Sequence, residues 1–362
     1  MRKARFSVGY RKAVNGKQGI GNRRKHSSRD SFYLPFPIPH SQSSVVPRIL
    51  LVKTSSLGDV VHNLPVASDI QAALPGAEID WVVEELFAAI PRLHSAVARV
   101  LPIAIRRWRF SFLSGRTRGE ISAFLKGLRQ TAYDVVIDTQ GLMKSALIAY
   151  AARGVRYGPD FASACEPLSF LYDRACSVPW TLHAVQRNRA LAAQALGYVL
   201  HDGAKYGIAE QVASFAWLPA GRYTVLVHAT SARRKLWAEE SWIELGRRLT
   251  LDGVRCVLPW GNAKERTRSE HLASAIPQAI VPPALELGEV AGLMAGAAAV
   301  AGVDTGLTHL SGALGVPTAG IYCTTDPSAT GLYGCARGVN LGGASGPPAV
   351  NEVVATLDRL MR

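Results

Sequence analysis

The strongest constraint on the fold is a repeated alternation of short apolar runs with helix-periodic segments, which begins at Arg48 and restarts after a polar stretch. The runs ILLVK at 49–53, DVVID at 134–138 and YTVLVH at 223–228 are apolar on both faces, as parallel strands covered by helices on both sides must be. Alternating strands and helices build open, doubly wound sheets. The sequence therefore predicts an α/β protein with two Rossmann-like domains.

The length of the chain and the break in the pattern predict where the domains divide. A chain of 362 residues is long enough for two domains, at roughly 150 residues each. We expect a disordered basic tail at 1–45, a first domain at 46–200, a linker at 201–221, a second domain at 222–350 and a closing helix at 351–362. The domains should face each other across a cleft, with ligands at the carboxyl ends of the strands. In the second domain we expect a helix from Ser241 to Leu251, capped by Ser241.

The net charge of +14 is unevenly distributed along the chain. Residues 1–47 contain ten Lys/Arg and one acid, whereas residues 48–362 contain 31 basic and 26 acidic side chains. Such a tail suits anionic lipid or nucleic acid. The interpretation that we favour is a passive segment, or upstream sequence included through a misassigned start codon.

The cysteines and the apolar runs exclude several classes of protein. Five cysteines without CxxC spacing predict unpaired thiols in a reducing compartment. The longest apolar run, Val290 to Val303, has 14 residues, fewer than the ~18 of a membrane span. No apolar segment with a cleavage site follows the N-terminal charges, so no secretion signal is predicted.

The first candidate for chemistry is the segment KTSSLGDVVH at 53–62, between strand one and a helix. Small residues let a ligand approach the backbone closely, and a helix N-terminus attracts anions. Asp59 is placed there to accept a proton from a bound hydroxyl. The alternative is that Asp59 only caps the helix.

Two segments of the second half suit a diphosphate. In DTGLTHL at 304–310, Thr305 and Gly306 would open a helix and offer free backbone N–H groups, beside Asp304 and His309. In TSARRKLW at 230–237, hydroxyl groups and three cations follow a strand, and Lys235 is the cation that we expect to be held in place. A capped helix and ordinary surface charge are the respective alternatives.

A fourth segment, IRRWR at 105–109, places Arg106, Arg107 and Arg109 around Trp108, with no acid between Ile103 and Arg118. Guanidinium groups bind phosphates in a fork geometry. Nucleic acid and a solvated basic loop are the competing interpretations. The chain lacks DxD, HExxH, GxSxG and Walker A motifs, which disfavours metal-dependent chemistry and predicts no metal site.

Together these segments resemble the ADP-heptose glycosyltransferases, glycosyltransferase family 9, from about Arg48 to the C-terminus. The matching segments are RILLVKTSSLGDVVHNLP, DWVVEE, IPRLH, RRWR, DTQGLMKSA, GPDFASACEPLSFLY, HAT, LPWG and VDTGLTHL. DTGLTHL is specific to the family. KTSSLGD, DWVVEE and RRWR favour the branch that adds the first heptose of the lipopolysaccharide core, heptosyltransferase I.

The resemblance implies a GT-B fold and an inverting, metal-independent transfer without a cofactor. Heptose would move from ADP-heptose to a 3-deoxy-octulosonate (Kdo) hydroxyl of Kdo₂-lipid A. It also implies peripheral contact with anionic lipid at the cytoplasmic face of the inner membrane. Asp59 maps to the general base, and Arg106, Arg107 and Arg109 to the acceptor-binding segment. The donor-binding positions map to Thr230, Ser231, Lys235, Glu265, Asp304, Thr305, Gly306 and His309.

Three other functions remain to be separated. Heptosyltransferase II or another sugar-nucleotide transferase would differ in its acceptor, and a sugar-nucleotide epimerase would need no acceptor. A basic nucleic-acid-binding protein is disfavoured because the excess charge lies in residues 1–47 and no reading motif is present, so no nucleic-acid partner is predicted.

Overall fold

The structure is a computed structural model, and it describes residues 46–208 and 212–362. The predicted tail at 1–45 lies outside the described residues, as do residues 209–211 of the predicted linker. The domain boundaries stay a prediction.

The first half alternates strands and helices as the sequence pattern indicates. Its strands are β1 (Arg48–Val52), β2 (Glu78–Glu84), β3 (Val97–Ile103), β4 (Ala132–Asp138), β5 (Arg153–Pro159) and β6 (Arg174–Cys176). Its helices are α1 (Leu57–Val61), α2 (Leu64–Ala73), α3 (Ala89–Arg92), α4 (Ile105–Ser111), α5 (Gly115–Gln130), α6 (Met143–Ala151) and α7 (Ala184–Leu196). The strands pair in parallel in the order β3-β2-β1-β4-β5-β6, so the order reverses between β1 and β4.

The second half repeats this architecture. Its strands are β7 (Tyr223–Val227), β8 (Arg255–Val257), β9 (Ala299–Val303), β10 (Thr318–Tyr322) and β11 (Gly338–Gly342). Its helices are α8 (Glu239–Leu251), α9 (Ala263–Ala275), α10 (Leu287–Ala295), α11 (Gly306–Ala313), α12 (Pro327–Thr330) and α13 (Val350–Met361). The parallel order is β11-β10-β9-β7-β8, and it reverses between β7 and β9. The predicted doubly wound sheets are confirmed.

The two halves share an apolar core. Val61 and Leu64 of the first half belong to the same buried cluster as Leu310 and Leu314 of the second. Burial of apolar surface is the main stabilising term in packing of this kind. It holds the carboxyl ends of β1 and β9, where ligands of such sheets bind, close to each other.

One local prediction was wrong, and one of the alternatives is excluded. Helix α8 begins at Glu239 with Ala238 as its N-cap, not at Ser241. Glu239 and Glu240 occupy its first turn, where the helix dipole favours negative charge. The IRRWR segment lies in a helix, α4, which excludes the alternative of a basic loop.

Strands β5, β6 and β11 were not predicted, because their sequences RGVRYGP, RAC and GVNLG lack a continuous apolar run. In the part of the chain that the structure describes, no helix is long and apolar enough to cross a bilayer.

Candidate active site

The site lies where the N-terminus of α1 meets the N-terminus of α11. A Cβ on Gly306 would lie 2.6 Å from Leu57 Cγ and 2.8 Å from the backbone nitrogen of Gly58. A Cβ on Gly58 would lie 3.2 Å from His309 Cδ2. Only glycine lets the two backbones approach this closely, so Gly58 and Gly306 bring the KTSSLGD and DTGLTHL segments together.

Asp59 is half-buried in the first turn of α1. Its Oδ2 accepts hydrogen bonds from the Ser56 backbone nitrogen at 2.7 Å and from Ser56 Oγ at 2.9 Å. Among residues 46–208 and 212–362, no donor pairs with Oδ1. Asp59 therefore does cap the turn, and its second oxygen remains able to accept a proton.

Three cations of the first half act electrostatically on Asp59: Lys53, Lys144 and Arg187. Lys53 Nζ donates to the Thr139 carbonyl oxygen at 2.9 Å, and Lys144 Nζ donates to Ser55 Oγ. Burial lowers the pKa of all three.

These cations have no carboxylate within 4.0 Å in the described part of the chain. Cations that are partly desolvated and unpaired favour binding of an anion. The prediction missed all three, although Lys53 and Lys144 lie in the KTSSLGD and DTQGLMKSA segments. Arg187 lies inside α7, where the sequence gives no signal for it.

On the opposite side, three predicted donor-binding residues converge on a fourth, Asp304. Lys235 Nζ lies 2.8 Å from Asp304 Oδ2, and His309 Nε2 lies 3.6 Å from Oδ1. Thr230 Oγ1 donates to the Asp304 carbonyl oxygen at 3.2 Å. Thr325, which was not predicted, donates from Oγ1 to Oδ2 at 2.7 Å.

The charge of Asp304 is stabilised by its neighbours. Burial raises the pKa of Asp304, but the neighbouring His309, Lys235 and Thr325 lower it below its ordinary value. The carboxylate is therefore ionised, and it neutralises part of the charge of Lys235. Lys235 is the cation of its loop that the fold holds in place, since Arg233 and Arg234 are exposed.

Helix α11 offers backbone donors beside this network. Thr305 is its N-cap, with extended backbone, and no acceptor in the described residues pairs with the amides of Gly306 or Leu307. Free amides at a helix N-terminus bind phosphate oxygens. Ser231 is exposed, and Glu265 accepts a hydrogen bond from the Gly261 backbone nitrogen at 2.8 Å. Neither contacts the Asp304 network directly.

The arginines of α4 differ from one another. Arg107 pairs with Glu85 at 3.2 Å and with Glu120 at 2.6 Å, and Trp108 Nε1 donates to Glu120 at 2.8 Å. Hydrogen bonds from Trp108 and Arg107 lower the pKa of Glu120 to about 2. Arg107 and Trp108 are thus engaged within the first half, although the sequence shows no acid between Ile103 and Arg118. Arg109 lies over the Phe110 ring at 4.5 Å.

Arg106 occupies a different place from Arg107. Its guanidinium lies over the Phe87 ring at 5.0 Å, and its backbone nitrogen donates to Glu84 Oε1 at 3.0 Å. Arg106 also acts electrostatically on Lys144, one of the cations around Asp59.

Histidine rings pack against one another beside α1 and α11. The His62 ring lies 4.5 Å from the His309 ring and 5.5 Å from the His183 ring, measured between centroids. Burial lowers the pKa of His62 well below its ordinary value and that of His183 to about 4. These two imidazoles are neutral at ordinary pH and form an uncharged floor. Neither was predicted as a site residue.

Residues that could bind a metal ion are not clustered in the described part of the chain. Across residues 46–208 and 212–362, no three His, Cys, Asp or Glu side chains are grouped as a metal site requires. The predicted independence from metal stays a prediction.

Comparison with known proteins agrees with this arrangement. The family model for glycosyltransferase family 9 (heptosyltransferase) matches residues 121–352. Lipopolysaccharide heptosyltransferase 1 of Pseudomonas aeruginosa is 48% identical over 299 residues, which are 82% of this chain and 83% of that protein. The protein of that name from Escherichia coli K12 is 46% identical over 290 residues, or 79% of this chain and 91% of that protein.

A solved structure extends the similarity to the fold. The structure of E. coli heptosyltransferase WaaC with ADP has a TM-score of 0.79 and 42% identity, over 86% of this chain and 99% of that chain. The GT-B fold that the sequence resemblance implied is confirmed, and so is the prediction of a glycosyltransferase. The chain therefore belongs to glycosyltransferase family 9, the heptosyltransferases.

Proposed function

We propose that this enzyme transfers L-glycero-D-manno-heptose from ADP-heptose to a Kdo hydroxyl of Kdo₂-lipid A, with inversion at the anomeric carbon. The observation that carries the proposal is the opposition of two groups across the Gly58–Gly306 contact. A carboxylate with one free oxygen lies on α1, and a cation with free helix amides lies on the side of α11. A single in-line displacement needs a base and a leaving-group site placed in this way.

On the donor side, Lys235 and the Gly306 and Leu307 amides would bind the diphosphate. Negative charge develops on the ADP oxygens as the anomeric C–O bond breaks, and preorganised donors stabilise it without a metal. Asp304, which holds Lys235 at 2.8 Å, would keep the ammonium group aimed at this position. Thr230, which donates to the Asp304 carbonyl oxygen, and Thr305 lie beside this position, while Ser231 and Glu265 are proposed to contact the donor further out.

On the acceptor side, Asp59 would take the proton of the attacking hydroxyl through the oxygen that Ser56 does not occupy. The acceptor sugar carries a carboxylate, and Lys53, Lys144 and Arg187 are the unpaired cations around Asp59. We assign the carboxylate to these cations. Arg106 extends the same positive region, whereas Arg107 serves mainly to hold α4 against Glu85 and Glu120.

The acceptor is a lipid, so the enzyme must work at a membrane surface. We propose peripheral contact with the cytoplasmic face of the inner membrane. The support is the excess of exposed apolar side chains on the first half, which also carries Asp59.

A defined incubation tests the proposal. The purified full chain is mixed with ADP-heptose and Kdo₂-lipid A, and both ADP release and the acceptor mass are followed. We expect ADP and an acceptor heavier by one heptose, with the same rate in the presence of EDTA. Loss of activity on chelation that Mg²⁺ or Mn²⁺ restores would contradict the metal-free assignment.

Two controls separate the alternatives. If donor is consumed without acceptor, the enzyme is an epimerase or a hydrolase. If only an acceptor that already carries one heptose is extended, the enzyme is a second heptosyltransferase. Either result overturns the proposal.

A further inference from the structure

Exposed apolar side chains gather where α4 turns into α5. Phe110, Phe112 and Leu113 are 80%, 60% and 76% exposed. The turn that carries them is fixed, because Ser114 Oγ accepts a hydrogen bond from the Thr117 backbone nitrogen at 3.1 Å and Ser111 Oγ lies 2.9 Å from Thr117 Oγ1. Thr117 itself is buried. The three side chains are therefore held out into solvent by an ordered turn.

This turn opens into a groove of about 670 Å³ along α5. The apolar side chains that line it are Phe112, Ile121 and Leu125. Its polar members are Arg118, Ser122, Lys126, Arg129 and Gln130, at helical spacing along the same face. The groove thus joins an apolar floor to a cationic rim, and it contains no acidic residue.

The rim charges are not neutralised by the protein. In the described ranges, no carboxylate lies within 4.0 Å of Arg118 or Lys126. The acid nearest in sequence, Glu120, is already bonded to Arg107, Arg116 and Trp108. An apolar floor with free cations around it matches an amphiphile whose headgroup is anionic.

Other occupants fit this chemistry less well. The N-terminal segment 1–47 carries a net charge of +9 and would be repelled by the rim. A second copy of the chain would bring two cationic rims face to face. Nucleic acid matches the charge, but three exposed apolar side chains on a fixed turn suit an acyl layer better.

We infer that the α4–α5 turn and the groove along α5 form a docking site for anionic phospholipid, through which this face of the first half rests on the bilayer. Phe112 and Leu113 enter the acyl boundary, and Arg118 and Lys126 lie at the headgroup phosphates. This inference rests on the proposed function, because the lipid acceptor is what requires a membrane surface. Trp108, which precedes this turn, is bonded to Glu120 and is not part of the contact.

Vesicle binding by the full chain, without donor or acceptor, tests the inference. We expect binding to phosphatidylglycerol–phosphatidylethanolamine vesicles, much weaker binding to phosphatidylcholine, and weakening by salt. Each cation near an anionic surface contributes about fivefold, so Arg118→Gln with Lys126→Gln should reduce partitioning roughly 20- to 30-fold. Phe112→Ser with Leu113→Ser should reduce it about tenfold or more.

Matched controls come from elsewhere in the chain. Leu251→Ser with Val199→Ser removes side chains that are 86% and 80% exposed, and Arg222→Gln with Arg359→Gln removes two exposed charges. Both pairs should bind vesicles like the parent protein. If the two control pairs lose as much vesicle binding as the Arg118/Lys126 and Phe112/Leu113 variants, the contact is nonspecific and the inference is wrong.

A local probe separates the groove from the basic N-terminal segment. Phospholipid with brominated acyl chains should quench added fluorescence in Phe112→Trp but not in Leu251→Trp. If this extra quenching is absent, the inference is wrong even if the protein still binds the vesicles. The inference also fails if an oligonucleotide displaces the protein from vesicles and the serine pair has no effect on binding.

Failure here leaves the proposed function testable on its own. Heptose transfer to a deacylated, water-soluble Kdo acceptor needs no membrane contact. The serine pair should keep the parent rate with that acceptor and lose rate with the acceptor embedded in vesicles.

Discussion

Gly58 and Gly306 lie against each other across the two sheets, so that a Cβ on Gly306 would come within 2.8 Å of the Gly58 nitrogen. The contact joins α1, which carries Asp59, to α11, which carries the free amides. It fixes the distance between the proposed base and the proposed diphosphate site.

Gly306→Ala should therefore impair catalysis more than Gly58→Ala. The added methyl group on Gly306 meets backbone, whereas the one on Gly58 meets the edge of the His309 ring at 3.2 Å. Overpacking of this kind costs about 1–3 kcal/mol and shifts the backbone. The measurements are kcat/KM and the unfolding midpoint. Gly119→Ala, which adds a methyl group with nothing within 4 Å, is the control and should keep full activity. Equal activity of Gly306→Ala and Gly119→Ala would show that catalysis does not depend on the Gly58–Gly306 contact.

Lys235→Ala should weaken both donor binding and chemistry. It removes the proposed diphosphate contact and leaves the buried Asp304 carboxylate without its cation. A charge-assisted hydrogen bond contributes about 1.5–3 kcal/mol, so kcat/KM for ADP-heptose should fall roughly 10- to 150-fold. The exposed neighbours supply the comparison. If Arg233→Ala or Arg234→Ala lost this much and Lys235→Ala did not, the wrong cation has been assigned.

Lys144→Met should raise KM for a deacylated Kdo acceptor about tenfold or more, with little change in KM for ADP-heptose. The reason is that Lys144 is an unpaired cation that acts on Asp59 from the acceptor side. Lys144→Arg should restore part of the affinity, and Lys205→Met, at an exposed position, should change nothing. Arg107→Gln should affect the acceptor less than Lys144→Met, because Arg107 is paired with Glu85 and Glu120. If Arg107→Gln raised KM for the acceptor more than Lys144→Met did, the acceptor would bind at α4.

Acid should destabilise the fold through its buried histidines. Burial lowers the pKa of His94, His183 and His228 to about 4, against about 6.5 in an unfolded chain. Above about pH 6.5 both states are unprotonated and stability is complete. Between about pH 6.5 and pH 4 the unfolded chain binds more protons, so stability falls as the pH falls, by up to about 2 kcal/mol per histidine at pH 5.

Urea unfolding at several pH values checks this dependence. His228→Gln can keep the hydrogen bond to Ser269, which is 2.8 Å long, while removing one titrating group. The slope of stability against pH between about pH 6.5 and pH 4 should then decrease. An unaltered slope in His228→Gln would show that the pKa of His228 is the same in the folded and unfolded protein and that burial does not lower it.

The sequence predicted the strands that are buried on both faces, because a parallel sheet covered by helices leaves continuous apolar runs such as YTVLV and TAGIY. It did not predict β5 or β11, whose polar and glycine-rich sequences join the sheet through backbone pairing. It also placed the start of α8 two residues late, since two glutamates precede the serine that resembles a cap.

The site was predicted where one segment carries the chemistry and missed where distant segments combine. Asp304 and His309 belong to one short segment, DTGLTHL, and both lie in the predicted network. Lys53 and Arg187 come together only when α7 packs near the end of β1, so no local pattern marks them. The absence of acids between Ile103 and Arg118 suggested free arginines, but Glu85 and Glu120 fold onto Arg107.

The central claim is that Asp59 removes the acceptor proton, and Asp59→Asn tests it most directly. Asparagine keeps the size of the side chain and an oxygen for the Ser56 hydrogen bonds, which are 2.7 and 2.9 Å long, but it is not a base. Single-turnover rates with saturating ADP-heptose and deacylated Kdo acceptor should fall about 10²- to 10⁴-fold. The Kd for ADP-heptose should stay within a few-fold of the parent value. A variant that keeps a third of the parent rate would show that Asp59 is a helix cap and not the catalytic base.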